Sequence, residues 1–236
     1  MTLEGPPRRL VDVPATALQA RSPRSAGLAG IAFSVLFGAS ILALNTRPPE
    51  GLDEAGLVAW FETRALAATT AVSLYLAPLA GIAFLWFIGV VRDRIGSHED
   101  RLFATVFLGS GLLFIAMYWS GAAQLGSLVA SNRFDAAPPL DAETIEDVRS
   151  TAFSFLFVLA ARAAAVFTIV TSTIIWRSGA MPRPIALIGY VIALAMLLSL
   201  SSLQWIVLCF PVWVFVVSTF LLVDERRRPV LVESVA

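Results

Sequence analysis

Residues 151–176, TAFSFLFVLAARAAAVFTIVTSTIIW, form an apolar run interrupted by one charge, Arg162, near its centre. About 20 apolar residues suffice for an α-helix to cross a ~30 Å hydrocarbon layer, so this stretch predicts a membrane span. A guanidinium at that depth costs roughly 2.5–3.5 kcal/mol on insertion scales. The remaining apolar runs contain no Asp, Glu, Lys, Arg or His, so no other span offers Arg162 an acid.

Composition agrees with a membrane protein. The 236 residues are 58% hydrophobic and 14% charged, too apolar for an ordinary soluble domain. A formal charge of zero speaks against a nucleic-acid partner. All 17 basic residues are arginine, and with abundant alanine this points to a high-GC genome. Cys209 is the single cysteine, in an apolar setting that suits an inert thiol, and His98 is the single histidine. A Cys/His metal site is therefore not expected, and neither is a cofactor.

Working outward, the apolar runs predict an all-α polytopic fold with six spans, near 26–45, 66–91, 102–123, 151–176, 185–200 and 204–223. Together, 26–223 form one transmembrane domain. Residues 1–25, rich in Pro, Arg and Ala, read as a disordered tail, and 224–236 as a second tail. Residues 46–65 carry apolar positions on one face and predict a short amphipathic helix lying at the outer interface, with Trp60 at headgroup depth. Asp141 is placed to cap a helix entering the fourth span. Pro78 and Pro211 fall inside spans 2 and 6 and predict kinks, with Pro78 freeing the Leu74 carbonyl. Gly27, Gly30, Ser34 and Gly38 predict close packing of span 1 on a neighbour.

The arginines set an orientation. Arg8, Arg9, Arg21, Arg24, Arg92, Arg94, Arg101, Arg177, Arg183, Arg226, Arg227 and Arg228 fall on one side, and Arg47, Arg64, Arg133 and Arg149 on the other. The positive-inside rule puts both termini in the cytoplasm of a bacterial inner (plasma) membrane. A short echo, RPPEGLDEAG before span 2 and APPLDAET before span 4, hints at internal duplication.

Two constellations stand out. Tyr75 is expected near the level of Arg162, with Tyr118 and Ser120 further towards the outer side. These residues either form an outward-facing pocket for an anion, such as a lipid phosphate or carboxylate, or lock spans 2, 3 and 4 together. The second is Gly89, Asp93, Arg94 and Gly96 in the loop sequence GVVRDRIG. It resembles the loop 2–3 motif of major facilitator transporters, in which an Asp and an Arg form a cytoplasmic latch. The positions after it, Ser97, His98, Glu99 and Asp100, depart from that motif, and a helix stop with positive-inside arginines explains the same residues.

Residues 84–114, FLWFIGVVRDRIGSHEDRLFATVFLGSGLLF, also resemble uncharacterised six-span integral membrane proteins of high-GC actinobacteria; that resemblance implies no activity. No catalytic set, Walker pattern or intramembrane carboxylate is present, which argues against an enzyme or an acid-coupled transporter. Two readings remain. One is a non-enzymatic membrane component that binds lipid or assembles with a membrane-protein partner or a second copy. The other is a small anion- or lipid-handling transporter or channel using Arg162.

Overall fold

The computed structural model describes residues 24–95, 101–133, 140–179, 181–198 and 204–227. All regular structure among them is helical, in six runs. These are α1 (Arg24–Leu44), α2 (54–95), α3 (Arg101–Arg133), α4 (Ala142–Ser178), α5 (Arg183–Leu198) and α6 (204–227). Five of them are long and apolar enough to cross a membrane; α5, with 16 residues, is shorter. Gly96, Ser97, His98 and Asp100 lie outside the described residues.

Local chemistry sets the helix ends. Asp53 and Asp141 are extended N-caps whose carboxylates accept from the backbone N–H of Gly56 and Thr144, each at 2.8 Å. The two halves of the sequence echo therefore perform the same capping job. The bonds from Thr144 hold the Asp141 carboxyl below the usual carboxylate range. At the other end of α4, Gly179 adopts the left-handed conformation (φ 64°) and its N–H returns to the Ile175 carbonyl. Pro184 then occupies the first turn of α5, where its missing N–H costs nothing.

The helices pack in chain order, and α6 returns to α1, closing a ring. Neighbours run antiparallel. Gly27 meets Leu222 while Gly30 meets Ser218 across α1 and α6, and Gly126 meets Ser73 while Gly111 meets Ile88 across α3 and α2. The starts of α1, α3 and α5 therefore lie at the same end as the finishes of α2, α4 and α6, the arginine-rich end.

Phenylalanines fill the axis. Phe84 of α2 lies 4.5 Å from Phe33 of α1, 5.0 Å from Phe114 of α3, 5.1 Å from Phe167 of α4 and 5.7 Å from Phe210 of α6, measured between ring centroids. All five are fully buried. Tilted and edge-on aromatic pairs of this kind add roughly 0.5–1.5 kcal/mol each beyond the area they bury. Large apolar side chains elsewhere, including Leu79, Trp86, Val191 and Val212, face outward. That surface suits hydrocarbon, not water.

Two helices leave regular α geometry. In α2 the Leu66 N–H bonds to the Phe61 carbonyl and the Ala77 N–H to that of Val72, and in α4 the Ala160 N–H bonds to Phe155. Each is a five-residue, π-type step. The second one directly precedes Pro78, whose ring would otherwise collide with the Leu74 carbonyl, so the wider turn relieves the clash. Pro211 sits differently from the mid-span kink expected of it. It is the third residue of the α-helical segment Cys209–Arg227, straight after a 3-10 turn, Gln204–Leu208. In a first turn its missing donor has no intrahelical partner to lose.

The long helices overrun a bilayer. At 1.5 Å per residue α3 measures about 50 Å and α2 about 63 Å, against a ~30 Å hydrocarbon core. Their surplus lies at the end away from the arginine-rich one, where Phe61, Ala65, Leu128 and Ile145 form a second small core with Trp60 and Val148. This corrects the reading of 46–65. Residues 54–65 are not a separate interfacial helix; they are the first turns of α2, and their apolar stripe of Leu57, Phe61 and Ala65 is buried. The amphipathic pattern was real, but its apolar side faces protein.

Candidate functional site

Arg162 lies in α4 three residues past the π-type segment Ser154–Leu159, and its side chain is half-buried. Nη1 donates to the Val158 carbonyl at 3.1 Å. Val158 belongs to the π segment, where the regular backbone ladder is interrupted and a carbonyl can accept a side-chain donor. The bond also draws the charge about one turn towards the N-terminal end of α4, the direction in which helical side chains lean.

Arg162 lines an almost wholly apolar groove of about 490 Å³ between α3 and α4, together with Val106, Gly109, Ser110, Leu113 and Met117 from α3 and Leu159, Ala163 and Val166 from α4. Among the described residues that line it, Arg162 alone is charged. The Ser110 hydroxyl is committed to the Val106 carbonyl at 2.7 Å. Leu113 is exposed, so the groove opens sideways from the bundle. Gly109 is unlike the packed glycines of α3: a Cβ added there would meet no atom of the described residues within 4 Å.

The other expected members do not line this groove. Tyr118 turns to the opposite side of α3, fully buried, and donates to the Ser40 hydroxyl of α1 at 2.9 Å. Tyr75 is 62% exposed on α2. Ser120 is half-buried. Pro78 sits instead beneath a different contact: Trp119 donates its indole N–H to the Ala77 carbonyl at 3.0 Å. Pro211 borders a smaller groove of about 270 Å³ between α1 and α6, beside Gly38, Val212 and Phe215. Gly89 faces open space. Asp93 and Arg94 fall in the last turn of α2, and Gly96 lies beyond the described residues.

Sequence reading missed Arg149, which it counted only towards orientation. Its guanidinium stacks 5.3 Å over the Trp60 ring and Nη2 donates to the Thr46 carbonyl at 3.2 Å. One side chain thus ties the α1–α2 connection to α2 and α4. The available signal was an arginine on the first turns of a capped helix, opposite a tryptophan on the matching turns of the echoed one. Among the described residues no three His, Cys, Asp or Glu side chains come together to hold a metal. No protein family, curated protein or solved structure matches the chain.

Proposed function

We propose that the chain is a non-enzymatic, six-span protein of a bacterial plasma membrane, with both termini cytoplasmic, that recognises an anionic group presented from within the bilayer. The observation that carries this reading is Arg162 on the wall of an apolar groove that opens sideways. A permanent charge retained at that depth is a functional-site hypothesis by default. The basic end of the bundle supports the orientation. α5 is taken as the remaining span, its 16 residues covering about 24 Å of a slightly longer crossing. The transporter alternative would need water to reach Arg162, and the phenylalanine-packed axis gives no support to a route through the centre.

Nitroxide accessibility tests the reading. Leu113→Cys in the groove and Val191→Cys on the outer face (68% exposed) are compared in a Cys209→Ser background in liposomes. The groove label is expected to match the Val191 label, with high oxygen contact and low contact with a polar nickel reagent. High nickel contact at position 113 would make the groove aqueous and replace this reading with transport.

A further inference from the structure

We infer that Arg149 holds the headgroup of a phosphatidylethanolamine in the leaflet away from the arginine-rich end. The lipid phosphate meets the guanidinium, its ammonium meets Glu146, and the start of one acyl chain enters the cleft between α1, α3 and α4. This site is separate from the Arg162 groove and does not depend on it. Three observations lead to it.

The first is depth. About 42 Å of helix rise separates Arg149 from Arg177, at 1.5 Å per residue, which matches the ~40–45 Å of a bilayer with its headgroups. The Arg149 guanidinium donates to the Thr46 carbonyl, just past Leu44, where the apolar span of α1 ends. It also stacks on Trp60, and tryptophan favours the headgroup zone. A phospholipid phosphate occupies this level without sinking into hydrocarbon.

The second is the state of the guanidinium. Stacking on Trp60 takes up its face, whereas arginine holds a phosphate through N–H groups in the plane of its fork. The side chain has five such donors. Among the described residues its hydrogen bonding goes to the Thr46 carbonyl alone, and no carboxylate pairs with it. Trp60 and Thr46 hold the fork in place, so a phosphate meets it without first ordering a loose side chain.

The third is the surroundings. Arg149 borders a cleft of about 60 Å³ with Leu44, Leu125, Phe153 and Phe157 in its wall, and no other residue lining it has a polar side chain. Phe153 and Phe157 stack at 4.8 Å and make that wall flat and apolar. The space suits a short length of one acyl chain, not a helix. Glu146 is exposed and lies three residues before Arg149 in the same α-helical segment, hence one turn above it on the same face. The short ethanolamine link between phosphate and ammonium can bridge one turn. Asp53, Glu54, Glu143 and Asp147 add negative charge to this end of the bundle, which disfavours a lipid of net negative charge.

The test is native mass spectrometry of the full chain in detergent, with equal amounts of phosphatidylethanolamine, phosphatidylcholine and phosphatidylglycerol of identical chains. The native protein is expected to retain phosphatidylethanolamine about fivefold over phosphatidylglycerol, one charge-assisted contact being gained and one repulsion avoided. Phosphatidylcholine, whose ammonium has no N–H, should fall between them. Arg149→Gln should bring all three within about twofold of one another, and Arg149→Lys should keep part of the preference. Glu146→Gln is an exposed change that leaves Arg149 in place. It should remove the preference for phosphatidylethanolamine over phosphatidylcholine while phospholipid is still retained, so the inference remains testable even where Arg149→Gln fails to fold. A phosphatidylethanolamine with a photoreactive group high on one chain should crosslink to Leu44, Phe153 or Phe157. Equal retention of the three lipids by the native protein overturns the inference, as does a preference for phosphatidylglycerol. So does a phosphatidylethanolamine preference that Glu146→Gln leaves unchanged, or crosslinking confined to other helices. Displacement of the lipid by inorganic phosphate overturns it in favour of a soluble anion.

Discussion

Trp119 of α3 donates its indole N–H to the carbonyl of Ala77 at 3.0 Å, lying across Gly81, where a Cβ would overlap the indole ring. The contact joins α2 to α3 one residue before Pro78, at the turn that proline perturbs most. Trp119→Phe keeps most of the ring and removes the donor. It should destabilise the detergent-solubilised protein by about 0.5–1.5 kcal/mol, measured by intrinsic-fluorescence unfolding. Gly81→Ala should cost at least as much by displacing the ring. The double variant should fall short of the sum, because both changes act on one contact.

Arg149 over Trp60 yields a second expectation. Trp60→Ala and Arg149→Gln each remove the stacked pair, worth about 0.5–2 kcal/mol for a partly desolvated cation and indole. Arg149→Gln also strips the Thr46 carbonyl of its donor. Limited proteolysis should therefore cut within 46–53 faster in Arg149→Gln than in Trp60→Ala. Equal rates would show that the bond to Thr46 does not restrain the connection.

Asp141 gives a pH dependence with a definite sign. Its carboxyl titrates lower in the folded chain than in the unfolded one, because Thr144 donates to the charged form. Stability from this cap is therefore fully present above the ordinary aspartate value of about 3.9 and is lost as pH falls through the lower folded value. Hydrogen exchange over residues 144–148 should be faster in Asp141→Ala than in the native protein at pH 7. The difference should shrink on acidification. A difference that persists unchanged at low pH would show that the cap is not acting through its charge.

The apolar runs made the helical membrane fold legible because hydrocarbon burial leaves a composition signal that does not depend on neighbours. Capping was legible for the same reason: Asp53 and Asp141 act within three residues of themselves. What the sequence could not convey was rotation about each helix axis. Tyr118 turns to Ser40 and the inner aromatics, while Arg162 lines the α3–α4 groove and bonds back to Val158 of its own helix. The π-type steps shift that rotation without changing composition, so the grouping of Arg162 with Tyr75, Tyr118 and Ser120 by depth did not gather them at one site. The stripe of 54–65 was read correctly as one-sided. Its partner was misassigned because a lipid interface and a protein face select the same residues.

Ser218 supplies the last expectation. Its hydroxyl is buried without a hydrogen-bond partner among the described residues, pressed against Gly30 of α1. Ser172 stands in the same relation to Gly189 across α4 and α5. A buried hydroxyl in this state carries a desolvation cost of about 1–3 kcal/mol, so Ser218→Ala should leave stability unchanged or raise it by up to about 1 kcal/mol. Gly30→Ala should lower stability by about 1–3 kcal/mol, because the new methyl would overlap the hydroxyl and crowd Phe87. Combining the two removes the obstructing oxygen, and the double variant should recover part of the loss. The Phe87 contact remains, so recovery should stay incomplete. A clear destabilisation by Ser218→Ala alone would mean that the hydroxyl holds α1 and α6 together after all, through a weak contact with the Gly30 Cα–H.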